Sequence, residues 1–253
     1  MDIGNNIIHN SWAHDINNSG DVVGYADYSD RFVWNEEYGI DFIDGTCSSH
    51  TPISINNLGD IVSSDHPSGH IESHNQSYLY DENGKQFIDL PGNEFNTESN
   101  AYIINDDGYV AGTYYNYRLP SSEWNPHMYI WHKNTGFKDL GVGRIKDMNN
   151  LGQVAGYRQL ENDQLRFVYD IHSDTYTYVE KSIISTHPQW RSGGVKGIND
   201  KGWMIGEGIK SNGQHGAFLI TPEPIPEPTT MLLFGTGLLG LVGYGRKMFY
   251  KKS

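Results

Sequence analysis

Residues Ile16 to Gly24 read I-N-N-S-G-D-V-V-G, and the pattern returns four more times along the chain. Ile55 opens I-N-N-L-G-D-I-V-S, Ile104 opens I-N-D-D-G-Y-V-A-G, Met148 opens M-N-N-L-G-Q-V-A-G and Ile198 opens I-N-D-K-G-W-M-I-G. The central glycines, Gly20, Gly59, Gly108, Gly152 and Gly202, are separated by 39, 49, 44 and 50 residues. Self-similarity at such a period is the signature of a repeat architecture. Asn-x-x-Gly between apolar runs is turn chemistry: the Asn side chain bonds backbone two residues on, and Gly supplies a positive φ without a Cβ clash. The alternating Val/Ile segment that follows has the period of a half-buried strand. Each copy therefore predicts a hairpin corner between two short strands.

Working outward, each corner leads to an aromatic-rich strand: Phe32-Val33-Trp34, Tyr78-Leu79-Tyr80, Tyr129-Ile130-Trp131, Phe167-Val168-Tyr169 and Ala217-Phe218-Leu219. A turn and a further strand follow, Phe42-Ile43-Asp44, Phe87-Ile88-Asp89-Leu90 and Phe137-Lys138-Asp139-Leu140, with Tyr176-Thr177-Tyr178-Val179 departing in the fourth copy. Four short antiparallel strands per unit of this length is the arithmetic of a propeller blade. The predicted fold is all-β, a repeat β-propeller of about five four-stranded blades over residues 1–221, with a C-terminal transmembrane helix beyond it. The fifth unit lacks its outermost strand, and Asp2-Ile3-Gly4 resembles Asp139-Leu140-Gly141. The N-terminus is therefore expected to complete the last blade and remove two open edges. An open fragment of a larger propeller is the alternative.

The long variable stretches are 63–77, 113–127, 157–166 and 180–194. In a meander wound this way they share one face, the expected binding face of a repeat protein. That face carries Tyr114, Tyr115, Tyr117, Trp124 and Trp190 with Arg118 and Arg191. Flat apolar rings with polar edges suit sugar rings, so Tyr115, Tyr117, Trp124 and Trp190 are the candidate ligand-binding residues. The bland reading is that these rings pack the loops onto the blades.

The chain carries 18 Lys+Arg against 31 Asp+Glu, a formal charge of −13. Arg246, Lys247, Lys251 and Lys252 lie in the last eight residues, which leaves 14 cations against 29 acids, or −15, for residues 1–221. Such a body repels phosphate backbones, and no nucleic-acid partner is expected. Cys47 is alone, so no intramolecular disulfide forms, and His50 nearby is read as incidental. His66, His70 and His74, with Asp65 and Glu72, would share a helical face, but Pro67 and Gly69 argue against that helix. Solvated loop histidines are expected there, with no metal site. Asp2, Asp44, Asp89 and Asp139 recur at one place in the repeat and are read as caps on the following turn. The sequence contains no nucleophile elbow, phosphate loop or zinc spacing, and selects no carboxylate pair for glycoside hydrolysis. The expectation is a non-enzyme without a cofactor. A hydrolase acting on extracellular glycan and a passive structural or protein-interaction repeat are the alternatives.

Residues 222–228, Pro-Glu-Pro-Ile-Pro-Glu-Pro, form an extended linker. Residues 229–253 open with 17 uncharged residues, Thr229 to Gly245, at the short limit for a membrane-spanning helix. Arg246-Lys247 and Lys251-Lys252 would hold the terminus on the cytoplasmic side.

The order Pro226-Glu227-Pro228, apolar Met231 to Tyr244, then Arg246-Lys247, resembles the PEP-CTERM sorting signal of Gram-negative bacteria. The resemblance implies export, transient anchoring in the inner membrane by the C-terminal helix, and processing by an exosortase near Pro226-Glu227-Pro228. It also implies a final place at the cell surface or in a polysaccharide biofilm matrix. The repeats resemble the HAF family of extracellular repeats in the Ile-Asn-x-x-Gly-x-Val-x-Gly corner, the aromatic strand and the Asp-Leu-Gly end. Neither resemblance implies an enzymatic activity. Substrates of this route carry a leader, whereas residues 1–15 show none, so a translation start further upstream is expected.

Overall fold

The computed structural model describes residues 10–26, 30–44, 53–65, 75–90, 97–117, 124–160, 163–179 and 190–221. The chain divides into two units, Met1–Ile220 and Thr221–Ser253, and the second lies outside the described residues apart from Thr221. The described residues form 18 strands. The first repeat contributes β1 (Ser11–Ile16), β2 (Val22–Ala26), β3 (Asp30–Asn35) and β4 (Gly39–Asp44), paired in that order. The second contributes β5 (Ile53–Ile55), β6 (Ile61–Asp65), β7 (Gln76–Asp81) and β8 (Gly84–Phe87), again in order. The third and fourth share one seven-stranded sheet of β9 (Thr97–Ile104), β10 (Val110–Asn116), β11 (His127–His132), β12 (Gly136–Met148), β13 (Gln153–Leu160), β14 (Asp163–Asp170) and β15 (Thr175–Tyr178). The fifth has three strands, β16 (Trp190–Ile198), β17 (Met204–Lys210) and β18 (His215–Ile220). Among the described residues every strand pairing is antiparallel and joins neighbours in sequence, so the chain is a series of meanders.

The nine-residue motif forms the same corner each time. In the first repeat Asn17 Oδ1 accepts the N–H groups of Ser19 at 3.0 Å and Asp21 at 2.9 Å, and Gly20 sits at φ +86°. Asn56, Asn149 and Asn199 hold two N–H groups each in the same way, and Asn105 holds that of Tyr109 at 2.9 Å. The last position of the motif has its own steric reason. Gly24, Gly112 and Gly206 lie directly opposite Phe32, Tyr129 and Phe218 on the next strand. A Cβ on Gly112 would stand 2.7 Å from the Tyr129 ring and would also meet the Asn100 carbonyl oxygen. The third-strand aromatic therefore requires a residue with little or no side chain beneath it.

Packing follows the two-residue period of the strands. Val110 joins a core with Val62, Leu79 and Tyr129, between the second and third repeats. Its neighbour Ala111 joins another with Met128, Val154 and Phe167, between the third and fourth. Val154 and Ala155 divide likewise, Ala155 meeting Val168, Val195 and Ile198 between the fourth and fifth. Val23, Ile55 and Ile61 form the core between the first and second. Hydrophobic burial thus lies between successive repeats, and each middle repeat is buried on both faces. Each large apolar side chain so placed contributes about 1.5–3 kcal/mol.

Three features differ from the sequence expectation. The outermost strand of the third repeat and the inner strand of the fourth are one continuous element, β12, pairing with β11 up to Val142 and with β13 from Gly143. The stretch 157–166 is mostly strand, a hairpin of β13 and β14 whose register runs on to Leu160 opposite Asp163. The stretch 113–127 likewise gives its first residues to β10. Neither stretch alternates polar and apolar residues, but a ladder is made by backbone groups and does not require alternation. The expected N-terminal closing strand and the expected membrane helix lie outside the described residues, among which no helix is long and apolar enough to cross a membrane. A closed ring is not formed by the pairings above, and the outward cross-strand pair Ile205 and Leu219 of the fifth sheet is exposed.

Candidate functional site

The corners are joined to one another. Asn17 Nδ2 donates to the Asn56 carbonyl at 3.1 Å, Asn56 to Asn105 at 3.1 Å, Asn105 to Asn149 at 3.3 Å and Asn149 to Asn199 at 2.8 Å. A second row runs beside it, in which the N–H groups of Asn18, Asn57, Asp106 and Asn150 donate to the side chains of Asn57, Asp106, Asn150 and Asp200. The corners of all five repeats consequently line one polar cavity of about 280 Å³, with Asp15, Asn56, Ile104, Asp147 and Ile198 among its walls. Asp15 Oδ2 accepts the Ile55 N–H at 3.0 Å, and Asp147 Oδ2 accepts that of Ile198 at 2.7 Å. Burial, reinforced by the nearby carboxylates of Asp15 and Asp200, raises the Asp147 carboxyl above its ordinary range.

Since the corners are held together, the opposite strand ends also gather on one side. There the third repeat presents its aromatic group. Tyr115, near the end of β10, and Tyr117, in the turn just past it, have parallel rings 6.0 Å apart with an interplanar angle of 5°. Trp124 meets Tyr117 edge-on at 4.9 Å and is 46% exposed. Tyr117 donates its hydroxyl to Glu98 at 2.7 Å, and burial together with that carboxylate pushes the phenol well above its usual range. Beside Trp124, Asn125 and Pro126 open a cavity of about 530 Å³ that continues over Val142 to Tyr157, Gln159 and Gln164. A second cavity, of about 350 Å³ between the fourth and fifth repeats, shares Tyr157 and Gln164 with the first. Both cavities therefore lie against the fourth repeat.

The structure thus brings together three of the four candidate ligand-binding residues, Tyr115, Tyr117 and Trp124. Trp190 opens β16 opposite Lys210, and its side chain, like that of Arg191, lies outside the described residues. Tyr114 points the other way: it is buried against Phe137 and donates to Asp139 at 3.1 Å. Asp139 Oδ1 also accepts the Gly141 N–H at 2.7 Å, the turn-capping role expected of it. Arg118, Cys47, His50, His66, His70, His74, Asp2 and the sorting residues Pro226, Glu227, Pro228, Arg246 and Lys247 fall outside the described residues. Among the described residues no group of three or more His, Cys, Asp or Glu side chains could hold a metal ion. Tyr157 belongs to the stretch 157–166 assigned to the expected binding face, yet is not among the candidate ligand-binding residues, because the stretch reads as a loop and not as the hairpin of β13 and β14. The motif asparagines likewise read as local turn residues, although their regular spacing was the signal of a ladder.

Residues 224–247 match the PEP-CTERM protein-sorting motif, which supports an exported protein processed by an exosortase. No curated protein matches the chain. Among solved structures, TolB from Acinetobacter baumannii is similar with a TM-score of 0.49 and 10% identity, over 85% of this chain and 55% of that one. Dipeptidyl peptidase 4 from Porphyromonas gingivalis is similar with a TM-score of 0.52 and 12% identity, over 85% of this chain and 39% of that one. The chain therefore spans only part of the length of these proteins. The second likeness is one of fold, to a propeller-like arrangement of repeated antiparallel sheets.

Proposed function

We propose that this protein is an exported, surface-sorted, non-catalytic β-propeller that binds extracellular glycan through the end of the sheets opposite the joined corners. The observation that carries the reading is the Tyr115, Tyr117 and Trp124 group, with its stacked and edge-on rings beside an open cavity. A pyranose offers an apolar C–H face bordered by hydroxyls. The rings supply a flat apolar counterpart, and Glu98, Asn125, Gln159 and Gln164 supply polar groups around it. Rings already held in place by their neighbours lose little freedom on binding.

The sorting motif supports the destination: transient anchoring in the inner membrane by the tail, cleavage near Pro226-Glu227-Pro228 and release to the surface or matrix. In this reading residues 1–221 are the binding domain, 222–228 the linker and 229–253 the tail. The repeats are of the HAF type and close as a five-bladed ring, a closure favoured by the cavity shared by all five corners. The exposed pair Ile205 and Leu219 marks the seam between last and first repeats. Retention of the full chain and of its Trp124→Ala variant on immobilised polysaccharide tests the binding.

A further inference from the structure

The cavity between the fourth and fifth repeats has a charge opposite to that of the body around it. Residues 1–221 carry 14 Lys+Arg against 29 Asp+Glu, yet Lys146, Arg166 and Lys196 all line this one cleft, with His215, against the single carboxylate of Glu207. Strand register accounts for one of these cations, Arg166, whereas Lys146 and Lys196 each sit at a β-bulge. On the fourth repeat Tyr157 lies opposite Arg144 on β12 and opposite Arg166 on β14, and directly opposed residues share a face. Arg144, Tyr157 and Arg166 thus form one row across the sheet. On the fifth repeat Glu207 lies opposite Gly194, and Ile209 opposite His215. Gly194 lies beside the Arg166 side chain: a Cβ built there would stand at ordinary contact distance, 3.8 Å, from Arg166 Nε.

Glu207 is already engaged by Lys196, with Nζ to Oε1 at 2.8 Å, and that ammonium holds the carboxyl below its ordinary range. Lys146 has no carboxylate partner among the described residues; its ammonium lies 5.8 Å from the centre of the Tyr157 ring. The cleft therefore holds at least one ammonium, that of Lys146, with no carboxylate against it among the described residues, beside an aromatic face. At about 350 Å³ it falls within the roughly 300–1,000 Å³ of small-ligand sites. Tyr157 and Gln164 also line the cavity walled by Asn125 and Pro126, the residues that follow Trp124 in the chain.

We propose that the bound glycan is anionic, and that the cleft seats a carboxylate-bearing sugar. Tyr157 faces the ring while Lys146 meets the carboxylate. The inference rests on the glycan-binding reading and adds the ligand's charge to it. An acidic body repels a polyanion at long range, so binding depends on these local cations rather than on general attraction.

The test measures binding of the full chain, in detergent micelles, to polygalacturonate and to the same polymer with its carboxylates methyl-esterified. Lys146→Glu, Lys146→Arg and Trp124→Ala variants are run alongside, with thermal unfolding confirming that each folds. The proposal expects polygalacturonate to bind at least about tenfold more tightly than the ester. Lys146→Glu abolishes that preference and Lys146→Arg keeps it. Equal binding of both polymers, lost in Trp124→Ala and untouched in Lys146→Glu, overturns the anionic assignment and leaves the glycan reading standing. Absence of binding to either polymer overturns both.

Discussion

Asn56 donates its Nδ2–H to the carbonyl of Asn105, 3.1 Å away and 49 residues further along the chain, while its Oδ1 holds the N–H groups of Leu58 and Asp60. One side chain thereby shapes its own corner and fixes the next repeat against it. The same arrangement at Asn17, Asn105 and Asn149 makes the corners a single connected structure, from which the opposite end of the molecule takes its geometry.

Replacing Asn56 by Ala leaves two turn N–H groups and the buried Asn105 carbonyl without these partners. A loss of about 2–3 kcal/mol is expected in denaturant unfolding. Asn199→Ala, at an exposed residue whose side chain holds only its own turn among the described residues, should cost less. Asn56→Asp separates the two roles, since a carboxylate accepts both N–H groups but cannot donate to Asn105. Equal losses at Asn56 and Asn199 would contradict the ladder as a stabilising element.

Asp147 gives a pH signature. Its folded pKa is raised, chiefly by burial, so the native state binds a proton more readily than the unfolded chain does. Its ionised form therefore costs stability above the folded pKa, and that cost is relieved as pH falls toward the ordinary carboxyl range. The stability of wild type relative to Asp147→Asn should move in favour of wild type between pH 7 and about pH 4. Denaturant curves at both pH values measure it, and a constant or oppositely moving difference would count against the assignment.

Much of this fold is written in the sequence, because its determinants are local. The Asn-x-x-Gly corners, the period-two strands and the short fifth repeat need only turn chemistry and alternation. What escaped is what depends on a partner far along the chain. Gly112 reads as a motif letter until Tyr129 is seen over it, and Asn105 reads as a turn residue until its amide is seen reaching Asn149. The site divides in the same way. Tyr115, Tyr117 and Trp124 stood out as aromatics crowded outside the repeat pattern. Lys146, Arg166 and Lys196 are scattered over 50 residues, and only the packing of the fourth repeat against the fifth gathers them into one cleft.

Sorting predicts a covalent change. The protein recovered from outside the inner membrane of its native cells should have an intact mass that places its C-terminus near Pro228. Full-length chain confined to the inner membrane, with its body protected from external protease, would remove the exported part of the account.

The central claim is that the aromatic end of the sheets holds glycan, and Trp124 is its most exposed described ring. The most direct measurement is the dissociation constant for the native matrix polysaccharide, wild type against Trp124→Ala, with unfolding curves showing both folded. The account predicts binding by wild type and a loss of roughly tenfold or more, about 1.4 kcal/mol, in the variant. Unchanged affinity in a folded Trp124→Ala protein would contradict it.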